Sequence, residues 1–142
     1  PSDPQASVTY NLTAVQYVVL GGSAVLAGAA AVFVIFILPI CREKAFRRKA
    51  AEAAPSEAVV MLFGRMSKML KKRLKTDIDV LTPNETAELC GRLLNIDISA
   101  FAVMFDKACY GGRQLSEEEK LSAENIYDNV NTAAKEYSKR KR

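Results

Sequence analysis

The chain contains no histidine, and its three cysteines, Cys41, Cys90 and Cys109, are an odd number without CxxC spacing. The lack of histidine excludes Ser-His and Cys-His nucleophile pairs and the usual zinc ligand sets. The cysteine pattern argues against a disulfide framework. We therefore predict that the chain is not an enzyme and has no catalytic residue, metal ligand or cofactor of its own.

Charge is missing from a long part of the chain. Residues 17–41 carry no charged side chain, and the one charge before Arg42 is the carboxylate of Asp3. About 20 apolar helical residues, rising about 1.5 Å each, cross the roughly 30 Å hydrocarbon core of a bilayer. The sequence predicts a transmembrane helix over residues 17–41 after a short extracytoplasmic lead, residues 1–16. The run is too long and has the wrong flanks for a cleaved signal peptide.

Positive charge begins where the apolar run ends. All 20 Lys and Arg residues follow Cys41, where 15 acidic residues leave a net charge of +5, against +4 for the whole chain. Because cations collect on the cytoplasmic side, we predict a single-pass plasma-membrane protein with its N-terminus outside and its C-terminus in the cytoplasm. The first cluster lies on a basic connector, residues 42–55. It consists of Arg42, Lys44, Arg47, Arg48 and Lys49.

We expect this first cluster to contact anionic lipid headgroups, at about 1 kcal/mol per cation. Nucleic acid is not an expected partner. Cys41, at the membrane border, is a candidate for acylation. Pro39, at the same end of the span, predicts a kink or a turn.

Small residues recur within the predicted span. Ser23, Ala27 and Ala31 lie four residues apart, and Ala24 with Gly28 forms a second pair on an adjacent face. Such a stripe permits close approach of another helix. The alternative is that bacterial spans are simply rich in Ala and Gly, and the sequence leaves both interpretations open.

The residues after the connector predict an all-α fold. We expect a small cytoplasmic bundle of about four helices over residues 56–138, followed by a basic tail, residues 139–142, and no β-hairpin. Ser56 is the candidate cap of the first of these helices, and Gly64 predicts a close helix contact within it. Its apolar side chains keep three- and four-residue spacing: Val59, Phe63, Met66, Leu70 and Leu74.

Two capping boxes mark further helix starts. Thr82 precedes Pro83 and Glu85, and Ser116 precedes Glu119, so both fit the pattern in which side chains bond the free backbone donors. Helices are expected to end near Asn95 and at residues 111–112. The apolar faces predicted for the later helices include Ala87, Cys90, Leu93 and Leu94, then Phe101, Met104, Phe105, Ala108 and Cys109, and finally Leu121, Ile126, Tyr127, Val130, Ala134 and Tyr137.

The Tyr-Gly-Gly-Arg string at residues 110–113 allows two interpretations. One is a tight corner between helices, with a glycine in the left-handed conformation and Tyr110 packed beside it. The other is a docking corner in which Tyr110 and Arg113 are exposed anchors for a protein partner.

The order of these parts resembles the cytoplasmic C-terminal domain of bacterial membrane transglutaminase-like proteins. The resemblance is carried by LTPNETAEL at residues 81–89 and FDKACYGGRQLSEEE at residues 105–119, and covers roughly residues 59–137. It implies an accessory domain on a membrane protein whose transglutaminase-like or protease-like catalytic domain lies outside the cell. It assigns no catalytic role to any residue of this chain.

Three functions follow from these features. The first is a non-catalytic, membrane-anchored helical module for protein–protein interaction. The second is a regulatory C-terminal fragment of a longer transglutaminase-like enzyme, and the third is a single-span subunit of an envelope or secretion assembly.

Overall fold

The computed structural model describes the backbone of residues 4–142 and the side chains from Thr13 onward. No strand occurs among these residues, so the all-helical fold class is confirmed. Residues 1–3 of the predicted lead lie outside the described part. The helices are α1 (Pro4–Val32), α2 (Leu38–Glu52), α3 (Pro55–Leu74), α4 (Pro83–Leu94), α5 (Ser99–Tyr110) and α6 (Glu117–Arg140), with a π-helical segment at Phe33–Ile37 and a 3-10 turn at Ile78–Val80.

The chain divides into two compact units, Pro1–Arg47 and Arg48–Arg142. The boundary falls inside the predicted connector, residues 42–55. The bundle was predicted to begin only at residue 56, but Ala50, within the predicted connector, is only 2% exposed. The last turn of α2 therefore belongs to the packed second unit, because a small side chain at this position is covered on all sides.

The π-helical segment ends two residues before Pro39. Proline lacks a backbone N–H, and its ring collides with the carbonyl four residues earlier, here that of Ile35. The N–H of Leu38 donates to the carbonyl of Phe33, five residues back. This wider turn replaces the regular α-helical hydrogen-bond pattern, and the helix continues through Pro39 into α2.

The core of the second unit forms around α3. This helix packs most extensively against α6 and also against α5, while α4 contacts α5 and α6. The Phe63 ring lies edge-on to Phe101, with 5.5 Å between ring centroids, and stacks on Phe105 at 4.2 Å. Every apolar position predicted for α3 is buried, namely Val59, Phe63, Met66, Leu70 and Leu74.

Both predicted capping boxes are confirmed. The Glu85 carboxylate accepts from the Thr82 N–H at 2.7 Å, and the Glu85 N–H donates to the Thr82 hydroxyl at 3.3 Å. Ser116 and Glu119 make the equivalent pair at 2.9 and 3.2 Å. These reciprocal bonds satisfy backbone donors that the first turn of a helix leaves free.

The predicted helix ends are also confirmed. Asn95 adopts the left-handed conformation, with φ of 56°, directly after α4. Gly111 follows the last residue of α5, and Gly112 takes a φ of 57°. A glycine accepts this backbone geometry without the steric cost that a β-carbon adds.

Two expectations about α3 were wrong. Ser56 is not its cap, because α3 begins at Pro55 with Ala54 in the capping position. The Ser56 hydroxyl instead accepts from the backbone N–H of Leu115 at 3.1 Å, a contact distant in sequence. Gly64 is exposed, and a β-carbon built there meets no atom within 4 Å, so no neighbouring helix requires glycine.

The predicted apolar faces of the later helices were partly wrong. Leu121 is 58% exposed and Cys109 is exposed, whereas the unpredicted Thr86 and Leu89 are buried. Apolar residues can lie on more than one side of a helix, and the neighbouring helices determine which of these sides is covered.

Candidate membrane anchor and interaction surface

The described part of the chain contains one helix that is long and apolar enough to cross a membrane, by length and composition, within Thr13–Glu52. Its apolar side chains are not buried by the rest of the protein. Val18, Leu26 and Phe36 are 74%, 72% and 63% exposed. A continuous apolar surface of this length is unfavourable in water and is typical of segments covered by lipid or by another chain.

The cation cluster predicted to meet lipid headgroups lies on α2. All five members are exposed, and two pair with carboxylates one turn away. Arg47 Nε lies 3.2 Å from Glu43, and Arg48 Nε lies 3.0 Å from Glu52. These exposed pairs are worth only a few tenths of a kcal/mol each, about 0.3–0.5, and the cations stay accessible to anionic groups. The cluster is Arg42, Lys44, Arg47, Arg48 and Lys49.

The small residues of the predicted packing stripe lie within α1, and all of them are exposed. The Ser23 hydroxyl donates to the carbonyl of Leu20 at 2.9 Å, which satisfies the hydroxyl within its own helix. No atom lies within 4 Å of a β-carbon position at Gly28. The stripe is Ser23, Ala24, Ala27, Gly28 and Ala31.

The Tyr-Gly-Gly-Arg string forms the exposed end of α5. Tyr110 is 84% exposed, so the expected packing of its ring beside the corner was wrong. Arg113 is also exposed, while Leu115, two residues later, is buried. A β-carbon at Gly111 would lie 2.8 Å from the backbone oxygen of Lys107. The corner is therefore built on glycine and carries an aromatic ring and a guanidinium group on its surface.

The cysteines differ in environment. Cys90 is fully buried, and burial raises the pKa of its thiol from 9.0 to about 11. The prediction of Cys90 as a core residue is confirmed. Cys109 was placed in the core by its spacing and lies instead on the exposed side of α5, and Cys41 is exposed as well.

Sequence analysis missed a buried lysine. Lys120 is 7% exposed, and its amine donates to the carbonyl oxygens of Ala51 at 2.8 Å and Ala53 at 3.0 Å. The Glu117 carboxylate lies 3.9 Å from the same amine. The C-terminal carbonyls of a helix lack partners within it, so this amine completes the end of α2 from α6.

A signal for this lysine was present in the sequence. Lys120 continues the three- and four-residue spacing of Ala123, Tyr127, Val130 and Ala134, all of which are buried. A lysine at a core position of a helical repeat indicates a buried amine with backbone or carboxylate partners. An open cleft of about 360 Å³ lies beside it, lined by Ala51, Glu117, Lys120, Leu121 and Glu124.

A small charged cluster joins the end of α3 to the following turn. Lys71 donates to Asp79 and lies 3.2 Å from Asp77, and these hydrogen bonds raise the pKa of Lys71. Asp97 accepts from Ser99 at the start of α5, which lowers the pKa of Asp97. In the described range, no group of three or more His, Cys, Asp or Glu residues is placed to hold a metal ion.

Comparison with protein-family models, with curated proteins and with solved structures finds no match to this chain. The resemblance to the cytoplasmic domain of membrane transglutaminase-like proteins thus stays a prediction from the strings at residues 81–89 and 105–119.

Proposed function

We propose that this protein is a non-catalytic, single-pass plasma-membrane protein whose helical unit binds a protein partner. In this proposal α3 to α6 form a cytoplasmic four-helix bundle. The observation that carries the proposal is the uncharged run at residues 17–41, which lies in a helix with exposed apolar side chains and ends at a cluster of cations. A bilayer would cover the apolar surface and hold the cations at its inner face.

The proposed partner site is the exposed end of α5. Tyrosine and arginine are enriched among the residues that dominate protein interfaces, because each offers a large contact area with polar groups. Tyr110 and Arg113 occupy one glycine-built corner, and the buried side chain of Leu115 fixes the chain directly behind it.

Membrane anchoring is tested by fractionating cells that express the full chain with a C-terminal tag. We expect the protein in the membrane fraction after an alkaline carbonate wash, and we expect the tag to resist protease in intact cells. Release into the wash would defeat the anchor. Digestion of the tag from outside would leave the anchor but reverse the proposed orientation.

The interaction surface is tested with Tyr110→Ala and Arg113→Ala, compared with Leu121→Ala as an exposed apolar control on α6. We expect a crosslinked partner to be lost from the first two variants and kept by the third, with membrane residence unchanged in all three. Equal crosslinking by all variants would show that Tyr110 and Arg113 do not form the binding site for the partner.

A second candidate function is a regulatory tail of a membrane transglutaminase-like enzyme. The observation in its favour is the FDKACYGGRQLSEEE string, which is hard to obtain from general helix-forming rules alone. The coding sequence upstream of residue 1 decides it. An extracytoplasmic domain with catalytic Cys, His and Asp would support it, and a start codon directly before residue 1 would exclude it.

A third candidate is a subunit of an envelope or secretion assembly. It is favoured by the exposed small residues of α1, which offer a helix a surface for close packing. Disulfide crosslinking through Ser23→Cys and Ala27→Cys, with Val25→Cys as the control on another face, should then give a defined product that the control does not.

A further inference from the structure

We propose that a basic face of α3, formed by Lys68, Lys72 and Lys75, binds the anionic headgroups of the membrane in which the chain is anchored. This inference rests on the proposed membrane anchoring. It adds a second membrane contact, made by the helical unit itself, to the contact expected of the cluster that follows the span.

α3 is strongly basic, whereas α6, the helix that it contacts most, carries charges of both signs. From Pro55 to the capping residue Lys75, the α3 segment has six basic residues and one acidic residue, Glu57. In α6, six acidic residues accompany four basic ones. An ordinary solvated surface mixes both signs, so a helix face of one sign indicates an oppositely charged partner.

Lys68 and Lys72 share one side of α3, since residues four apart lie one above the other on a helix. Lys75 follows at the C-terminal end of α3 as its capping residue, in the left-handed conformation. All three are exposed. Lys71 is engaged with Asp77 and Asp79, whereas in the described part of the chain no ion pair within 4.0 Å engages Lys68, Lys72 or Lys75. Their charge is therefore available to an external anion.

The helix dipole does not account for Lys68. Cations in the last turn of a helix stabilise its negative end, and Lys71, Lys72 and Arg73 fill that turn of α3. Lys68 lies a full turn earlier, where the effect of the dipole has fallen away. A surface contact explains all three positions of the face.

The proposed anchor tethers the unit that carries this face to the bilayer. Arg48, the first residue of the second unit, follows Cys41 by seven residues, and seven residues of the helix α2 rise about 10 Å. Tethering at such distances gives effective concentrations in the millimolar range, so a weak contact becomes populated. Basic clusters on amphipathic helices beside a span are typical binding sites for anionic lipids.

Nucleic acid fits this face less well. Proteins that bind single strands interleave cations with exposed aromatic rings on which bases stack. The one aromatic residue of α3 is Phe63, and its ring is buried against Phe101 and Phe105.

The test uses the full chain in lipid nanodiscs, either of neutral phosphatidylcholine or with added phosphatidylglycerol. Lysines are modified with an amine-reactive ester and quantified by mass spectrometry, with the exposed Lys135 of α6 as the internal reference. We expect the reactivity of the face to fall about fivefold on anionic discs, the factor that ~1 kcal/mol per cation represents. The protection should disappear at high salt, because salt screens surface charge.

Variants separate charge from packing. Lys68→Gln should reduce the protection of Lys72 and Lys75, whereas Lys68→Arg, which keeps the charge, should preserve it. Equal reactivity on neutral and anionic discs would overturn the inference and leave the anchor intact. Failure to enter discs would overturn the anchor and this inference together. Protection by an oligonucleotide, with none by anionic lipid, would assign the face to nucleic acid and also overturn it.

Discussion

At the scale of single residues, Lys120 is the side chain with the most distinct role. Its amine is buried, and it joins α6 to the end of α2 through two backbone carbonyls more than 65 residues away in sequence. Burying an amine is unfavourable unless it is hydrogen-bonded, so the two bonds and the nearby Glu117 offset its desolvation.

Replacing Lys120 by Met keeps an unbranched side chain, shorter by one atom, and removes both bonds. We expect Lys120→Met to lower the free energy of unfolding by about 1–2 kcal/mol, because two carbonyls lose their partner. Chemical denaturation followed by circular dichroism measures this change. Lys135→Met, at an exposed position of the same helix, should stay within about 0.5 kcal/mol of the parent. An equal effect at both sites would mean that the bonds contribute nothing.

The pKa of Cys90 predicts selective thiol chemistry. Burial raises this pKa to about 11, and the thiolate is the reactive form. In a Cys41→Ser background at about pH 8, we expect maleimide to modify the exposed Cys109 and to spare Cys90 until the protein is unfolded. Comparable labelling rates in the folded protein would contradict the buried environment.

The raised pKa of Cys90 also has a consequence for stability. Above pH 9 the thiol ionises more readily in the unfolded chain, since its folded pKa is about 11 rather than 9.0. The contribution of Cys90 is therefore complete below pH 9 and is lost as the pH rises toward 11. Cys90→Ala should reduce this alkaline loss.

At the scale of helices, two glycines predict effects of opposite sign. Gly64 lies inside α3 with open space at its β-carbon position, so Gly64→Ala should stabilise the fold by about 0.5–1 kcal/mol through the higher helix propensity of alanine. Thermal unfolding measures the gain. An unchanged or lower midpoint would show that an unseen contact requires glycine there.

Gly111→Ala is the matched change at the end of α5. Its β-carbon would lie 2.8 Å from the backbone oxygen of Lys107, so we expect a lower unfolding midpoint. A backbone shift is needed to relieve this contact, because neither atom belongs to a flexible side chain. Stabilisation by this substitution would contradict the geometry of the corner.

The capping box of α4 predicts that the stability of the fold depends on pH in the acidic range. Hydrogen bonds from Thr82, first from its backbone N–H and then from its hydroxyl, lower the pKa of Glu85 from its ordinary 4.5. The contribution of the ionised Glu85 to stability is complete above pH 4.5, and it is lost as the pH falls through the lowered pKa of the folded state. We therefore expect Glu85→Gln to destabilise the protein at neutral pH and to converge with the parent in acid. Glu88→Gln, outside the box on the same helix, should show no such convergence.

Local chemistry made helix starts and ends predictable from the sequence, while the environments of side chains depended on neighbours distant in sequence. Thr82, Ser116 and Asn95 are recognised by residues within a few positions, and each forms the predicted structure. Leu121 is apolar, yet it lies one position from the buried stripe that begins at Lys120 and Ala123, and it is 58% exposed. Lys120 was missed because a charged residue is rarely buried, and its carbonyl partners lie in another helix.

At the scale of the whole molecule, the second unit contains its own core. The core residues found in the described range lie between Ala50 and Ala134. We expect the fragment 48–142 to be helical and to unfold cooperatively in water without detergent. Aggregation without helical circular dichroism would show that it depends on the apolar helix.

The fragment 55–142 is the matched control for this prediction. It lacks Ala50 and the carbonyls of Ala51 and Ala53. Its free energy of unfolding should therefore be lower than that of 48–142 by no less than the loss expected for the Lys120 bonds, about 1–2 kcal/mol. In the shorter fragment Lys120→Met should have little further effect, because the two changes remove the same interaction. Additive losses would mean that Lys120 acts elsewhere.

The π turn at Phe33–Ile37 changes how the side chains before and after it are arranged around the axis of the apolar helix. A π turn holds one residue more than the regular helix, and each residue advances the azimuth by about 100°. The small side chains of α1 and the guanidinium of Arg42 lie on opposite sides of this turn. The angle around the helix axis between the small side chains and Arg42 therefore differs from the angle that an unbroken α-helix would give. Removal of one residue there would leave Arg42 at nearly the same angle around the helix axis, because the π turn already accommodates one extra residue.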